Sequence, residues 1–80
     1  MGIYDVVVSR ILSLCKENGI TPNGLSYISG VSQSTIKSIL NGESINPGIV
    51  TIKKLCDGFN ITISDFFDTK EFRELEQEIK

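Results

Sequence analysis

The 80 residues are enough for one domain built round a single small core and leave no room within them for a second. A hydrophobic fraction of 40% against 22% charged excludes disorder over most of the length. The net charge of -2 argues against a chain that coats nucleic acid non-specifically, because that affinity comes from Lys and Arg meeting phosphates, but it leaves a small specific site open.

Residues 4–18 place Val7, Ile11, Leu14 and Cys15 at helical spacing and stop at Asn18-Gly19, which predicts a first helix of about four turns. Thr21-Pro22 pairs an N-cap with a proline at the first helical position, and Leu25 and Ile28 form the apolar edge of a second, short helix ending at Gly30. Gly30-Val31-Ser32 joins a residue suited to positive φ, an apolar plug and a new N-cap, so a tight turn is expected there. The third helix, residues 33–41, carries Ile36, Ile39 and Leu40 on one side and Gln33, Ser34, Lys37, Ser38 and Asn41 on the other.

A polar loop over residues 43–46 follows. Asn46-Pro47 repeats the cap-plus-proline start ahead of Ile49, Ile52, Leu55 and Cys56, predicting a fourth helix that breaks at Gly58-Phe59-Asn60-Ile61. Thr62 and Asp65 make a capping box for a fifth, short helix with Phe66 and Phe67. Asp68 as cap, with Glu71 three residues later, starts a further helix whose Phe72, Leu75 and Ile79 form one narrow stripe among charges. The expected architecture is all-α: a helical domain over residues 1–68 and a helical extension over residues 69–80.

Cys15 and Cys56 lie among apolar residues, with no signal peptide or long apolar span before or after them. The natural reading is a pair of thiols in a reducing cytoplasm and no membrane. A disulfide between them is the lesser alternative, since small secreted scaffolds usually carry more cysteines. Catalysis has little support: there is no His, no nucleophile elbow, no glycine-rich phosphate loop after a strand and no Cys/His cluster with metal-ligand spacing. The acidic residues of the tail alternate with Lys70 and Arg73, the pattern of a solvated surface. No enzyme activity, cofactor, metal or small-molecule ligand is expected, because a sensor would need another domain.

Two short helices joined by a three-residue turn containing glycine make the helix-turn-helix arrangement, whose second helix lies in the major groove. The first helix braces the second at a steep angle, so the turn must be tight and buried while the second helix keeps a polar outer face; Leu25, Gly30, Val31, Ile36 and Ile39 meet that demand. From residue 20 to residue 42 there is no Asp or Glu, and Lys37 is the only charge. One face can therefore meet a polyanion without carboxylate repulsion.

At these residues the chain resembles the lambda-repressor-like family of bacterial and phage regulators, also called the xenobiotic-response-element family. The likeness rests on Leu25-Ser26, Gly30-Val31-Ser32-Gln33-Ser34-Thr35-Ile36, Asn41-Gly42, Asn46-Pro47 and residues 55–67 in that order, and covers residues 5–68. It implies a compact five-helix DNA-binding domain with an additional C-terminal helix, acting as a sequence-specific transcriptional regulator of the repressor kind on double-stranded DNA. It assigns Gln33, Ser34 and Ser38 to base edges, with Lys37 close to base or phosphate; Gln can bond adenine bidentately and Ser suits several bases. Thr21, Ser32, Asn41 and Ser44 fall where the family holds the DNA backbone, which positions the protein without reading sequence. Thr21 and Ser32 are helix caps first, and the plain alternative for Gln33, Ser34 and Ser38 is a solvated helix face.

The chain also departs from the family. Pro22 replaces a phosphate-touching glutamine, Ser26 replaces the usual alanine, and Ile45, Asn46 and Gly48 stand where relatives often place Lys or Arg. Low affinity per monomer is expected. An arginine late in the first helix and a glutamate ending the third, paired in many members, are replaced together by Cys15 and Leu40, which are expected to pack as core.

A weakly charged module reading a few base pairs has too little affinity and specificity alone, so a homodimer is expected. Relatives commonly dimerise after the fourth helix, where this chain offers Phe66, Phe67, Phe72, Leu75 and Ile79; the alternative is that Phe72 and Leu75 fold back on the first helix. The competing reading of function is a protein-contact module, such as an antitoxin-like or anti-repressor partner, motivated by the acidic balance and the cation-poor loop.

Overall fold

The computed structural model describes residues 2–79. Six helices follow one another: α1 (Ile3–Glu17), α2 (Pro22–Ser29), α3 (Gln33–Leu40), α4 (Ile49–Phe59), α5 (Ile63–Phe67) and α6 (Lys70–Arg73). Among the described residues there is no strand.

Local chemistry decides where the middle helices begin. The Thr21 hydroxyl accepts from the Gly24 N–H at 3.0 Å with Pro22 as the first helical residue, and Ser32 accepts from the Thr35 N–H at 3.2 Å. Thr62 and Asp65 form the reciprocal capping box that opens α5.

The core decides how the helices lie. Ile11 of α1, Leu25 of α2, Ile39 of α3, Leu55 of α4 and Phe66 of α5 are all fully buried, so each of the first five helices contributes one side chain to the same apolar body. Burying such a side chain stabilises by about 1.5–3 kcal/mol, more than the ~1 kcal/mol of a cap. Cys15 is buried in this cluster and Leu40 packs against the cluster half-buried. Burial pushes the thiols of Cys15 and Cys56 up, and both are free.

Three expectations are corrected. The fourth helix starts at Ile49 with Gly48 as its cap, not at Asn46-Pro47. Pro47 instead joins Ile45 in lining a groove against α1, and the chain needs those residues outside the helix to reach it. The helix also runs through Gly58 and stops at Asn60, which takes the left-handed conformation with φ 60°. Gly58 is a packing residue: a Cβ there would stand 2.9 Å from Ser29 Cβ and 3.0 Å from Ser29 Cα, so its bare backbone is what lets α2 and α4 touch.

The third correction concerns the tail. Its helix is the single turn Lys70–Arg73, capped by Thr69 and not by Asp68, whose carboxylate pairs with Arg73 at 2.8 Å. Phe72 packs against the core from this turn. Beyond it the chain returns toward the start of α1, where a Cβ on Gly2 would meet Glu78 Oε2 at 3.3 Å. A carboxylate there faces the positive end of the α1 dipole.

Candidate nucleic-acid interface

The turn between α2 and α3 is closed from inside. Gly30 adopts φ 73°, Val31 is buried as the plug, and Ser29 accepts from the Val31 N–H at 3.2 Å while donating to the Leu25 carbonyl at 2.7 Å. Ser32 then begins α3, and its hydroxyl donates to Thr35 Oγ1 at 2.8 Å. The angle between α2 and α3 thus rests on short bonds and one apolar plug.

Three of the four residues expected to read bases, Gln33, Ser34 and Lys37, are exposed on α3, and Ser38 is half-buried beside them. Among the described residues, the side chains of Gln33 and Lys37 have no hydrogen-bond or ion-pair partner within the protein. Both are free to meet a ligand. The Ser34 hydroxyl shares a 3.2 Å hydrogen bond with Ser32 and would have to leave it to read a base.

The residues expected to hold the DNA backbone divide differently. Thr21 and Ser32 are exposed caps, each with its hydroxyl already accepting a helix N–H. Asn41 is occupied by Glu43 on both sides: its Oδ1 accepts from the Glu43 N–H at 3.1 Å and its Nδ2 donates to Glu43 Oε1 at 3.0 Å. Ser44 donates its main-chain N–H to the Ser38 carbonyl at 2.9 Å, which leaves its hydroxyl as the donor for an outside partner.

Two residues were missed from the sequence. Glu43 is held at the rim of the acid-free stretch through Asn41; Asn followed by Gly carries a turn signal that could have found it. Tyr4 donates from its hydroxyl to the Ile39 carbonyl at 2.6 Å, tying α1 to the last turn of α3. No local signal announces a bond over 35 residues.

The apolar tail residues separate as well. Phe66 is fully buried and belongs to the core, so it has no surface to offer a partner. Phe67 and Phe72 are half-buried, and the three rings form one cluster, with Phe67 4.9 Å from Phe66 and 4.8 Å from Phe72 between centroids. Leu75 is half-buried and Ile79 is 87% exposed. Phe72 therefore follows the fold-back alternative.

No helix among the described residues is long and apolar enough to cross a membrane. The crystal structure of prophage Lp1 protein 11 superposes on this fold with a TM-score of 0.80 at 30% sequence identity, covering 94% of this chain and 100% of that one. No curated protein matches the chain. The model of the Cro/C1-type helix-turn-helix DNA-binding domain matches residues 10–71, which contain the second half of α1, all of α2 to α5 and the start of α6, and the chain belongs to that family.

Proposed function

We propose that the chain is a sequence-specific, DNA-binding transcriptional repressor that reads the major groove with α3, works in the cytoplasm as a homodimer, and acts by binding alone. The observation that carries this reading is the unengaged pair Gln33 and Lys37 on a helix mounted at both ends, by Ser32 at its start and Tyr4 at its last turn. Gln33, Ser34 and Ser38 face base edges, with Lys37 at a base or a phosphate. Thr21, Ser32, Asn41 and the Ser44 hydroxyl hold the backbone. Residues 1–68 form the binding domain, and residues 69–80 serve as an extension to it. Occupying a site is sufficient for repression by so small a module.

Selection of duplexes from random DNA tests the reading most directly, followed by anisotropy on the best site with Gln33→Ala. Loss of about 1–3 kcal/mol on that site, with relaxed preference at one base pair, is expected. Equal loss on selected and random DNA would remove Gln33 from the reading set. A second reading, a protein-contact module, is favoured by the carboxylate of Glu43 beside Asn41; no DNA binding at any salt would decide for it.

A further inference from the structure

We propose that the apolar groove between α1, the α3–α4 loop and α4 seats a second copy of this chain, so that the dimer axis passes beside α3 and not through the C-terminal tail. The groove has a volume of about 380 Å³, with walls formed by Ile3 and Tyr4 of α1, Ile45 and Pro47 of the loop, Ile49 of α4 and Phe67 of α5. No charged side chain lines it.

The rim is more apolar than a solvated surface needs to be. Ile45, Ile49 and Val50 are 66%, 76% and 65% exposed; Ile45 and Ile49 both line the groove, and Val50 follows Ile49 in α4. A patch that carries both a hollow and projecting aliphatic side chains is complementary to itself, which is what a two-fold interface requires: the Ile49 of each copy can enter the groove of the other. Charge selects the same occupant. With a net charge of -2, two copies repel except where they present neutral surface, and a strongly charged peptide would find no counter-charge within the walls.

Spacing supplies the remaining argument, and it rests on the proposal that α3 reads DNA. Half-sites one helical turn apart are about 34 Å from centre to centre, so each reading helix lies about 17 Å from the dyad. The contact face must then lie within about 17 Å of α3. Tyr4 meets that condition, because its ring walls the groove while its hydroxyl bonds the Ile39 carbonyl of α3. The tail offers only Ile79 as a widely exposed apolar side chain. Seating a partner against Tyr4 also couples assembly to the mount of the reading helix.

Sedimentation equilibrium of the full chain, from micromolar to hundreds of micromolar, compares the wild type with Ile49→Asp, Ile45→Asp and Ile79→Asp. Far-UV circular dichroism serves as the folding control for positions that are exposed. The two groove variants are expected to weaken dimerisation at least about tenfold, as loss of a central apolar anchor does, and Ile79→Asp to leave it unchanged. The inference is overturned if the groove variants associate like the wild type, if Ile79→Asp is the disruptive change, or if the wild type stays monomeric when free and binds one per palindromic duplex. Anisotropy on a single half-site keeps the two proposals apart. Ile49→Asp should bind that half-site like the wild type, and if no form binds DNA while Ile49→Asp still breaks the dimer, the groove stands and the reading of α3 falls.

Discussion

The Tyr4 hydroxyl satisfies the Ile39 carbonyl at 2.6 Å, and that carbonyl is one of the last four of α3, which have no partner within the helix. A side chain from the first turn of the protein therefore finishes the helix proposed to read DNA. Tyr4→Phe should lower stability by about 1 kcal/mol, the net worth of one such bond with its acceptor left half-buried. Urea unfolding reads this as a lower midpoint at unchanged slope. The ring remains in the groove wall, so dimerisation should survive while DNA affinity falls; an unaltered midpoint would show that water replaces the hydroxyl without loss.

Gly58 makes the opposite kind of prediction. On helix propensity alone, Gly58→Ala would stabilise α4 by up to about 1 kcal/mol. The added Cβ would meet Ser29 Cβ at 2.9 Å and Ser29 N at 3.1 Å, and main chain cannot swing aside as a flexible side chain does. Overpacking of this kind destabilises by about 1–3 kcal/mol, so the net effect should be a lower melting temperature. A gain in melting temperature would mean that α2 and α4 separate more easily than their contact implies.

Salt dependence separates the electrostatic contributions at the interface. With Lys37 as the only cation between residues 20 and 42, the slope of log affinity against log salt should be of order -2 to -4 per monomer, at roughly -0.9 for each neutralised phosphate. Glu43→Gln keeps an acceptor for the Asn41 amide and removes the carboxylate beside it. Affinity should rise by roughly 0.5 kcal/mol at low salt and the gain should fade as salt is added. Equal gains at all salt concentrations would contradict an electrostatic origin.

The two cysteines predict a pH dependence of stability. Burial raises both thiols in the folded state, which favours the neutral form there. Below the ordinary thiol value of about 8.5, folded and unfolded chains both hold these protons and stability does not change on their account. As pH rises through that value the unfolded chain releases protons that the folded chain keeps, so stability falls until the folded thiols themselves titrate. Cys15→Ala/Cys56→Ala should flatten the decline relative to its own plateau at neutral pH. Iodoacetamide should also label the native protein far more slowly than the urea-unfolded one, and equal rates would place the thiols at the surface.

Features written within four residues were read correctly from the sequence. Thr21-Pro22, Gly30, Ser32 and the Thr62–Asp65 box each carry their own hydrogen-bonding logic, and each stands where that logic puts it. Misreadings arose where distant parts of the chain intervene. Gly58 reads as a breaker because the closeness of Ser29 is invisible along the sequence. Pro47 reads as a helix start because its place in the groove depends on α1, and Phe66 reads as spare surface because only the packed core shows that it is used. At the candidate interface the residue types could be read directly. Their engagement could not: the grip of Asn41 on Glu43 and the Ser44 N–H closing on Ser38 decide which groups are free, and both depend on the path of the loop.

Arg10 donates from Nε to the Phe66 carbonyl at 2.8 Å and from Nη2 to the Asp65 carbonyl at 2.9 Å, fastening the end of α5 to α1 through main-chain atoms alone. A fastening of this kind does not depend on which side chains occupy the receiving positions, so residue 65 can drift in evolution without releasing it. It also orders events during synthesis. The α2–α3 pair leaves the ribosome well before residue 66, yet the ring that fills the centre of the core and the carbonyls that Arg10 holds arrive together with that residue. A nascent chain therefore carries α3, the helix proposed to read DNA, before it has the packed core that seats it, and that seat is complete only once α5 is free to fold against α1.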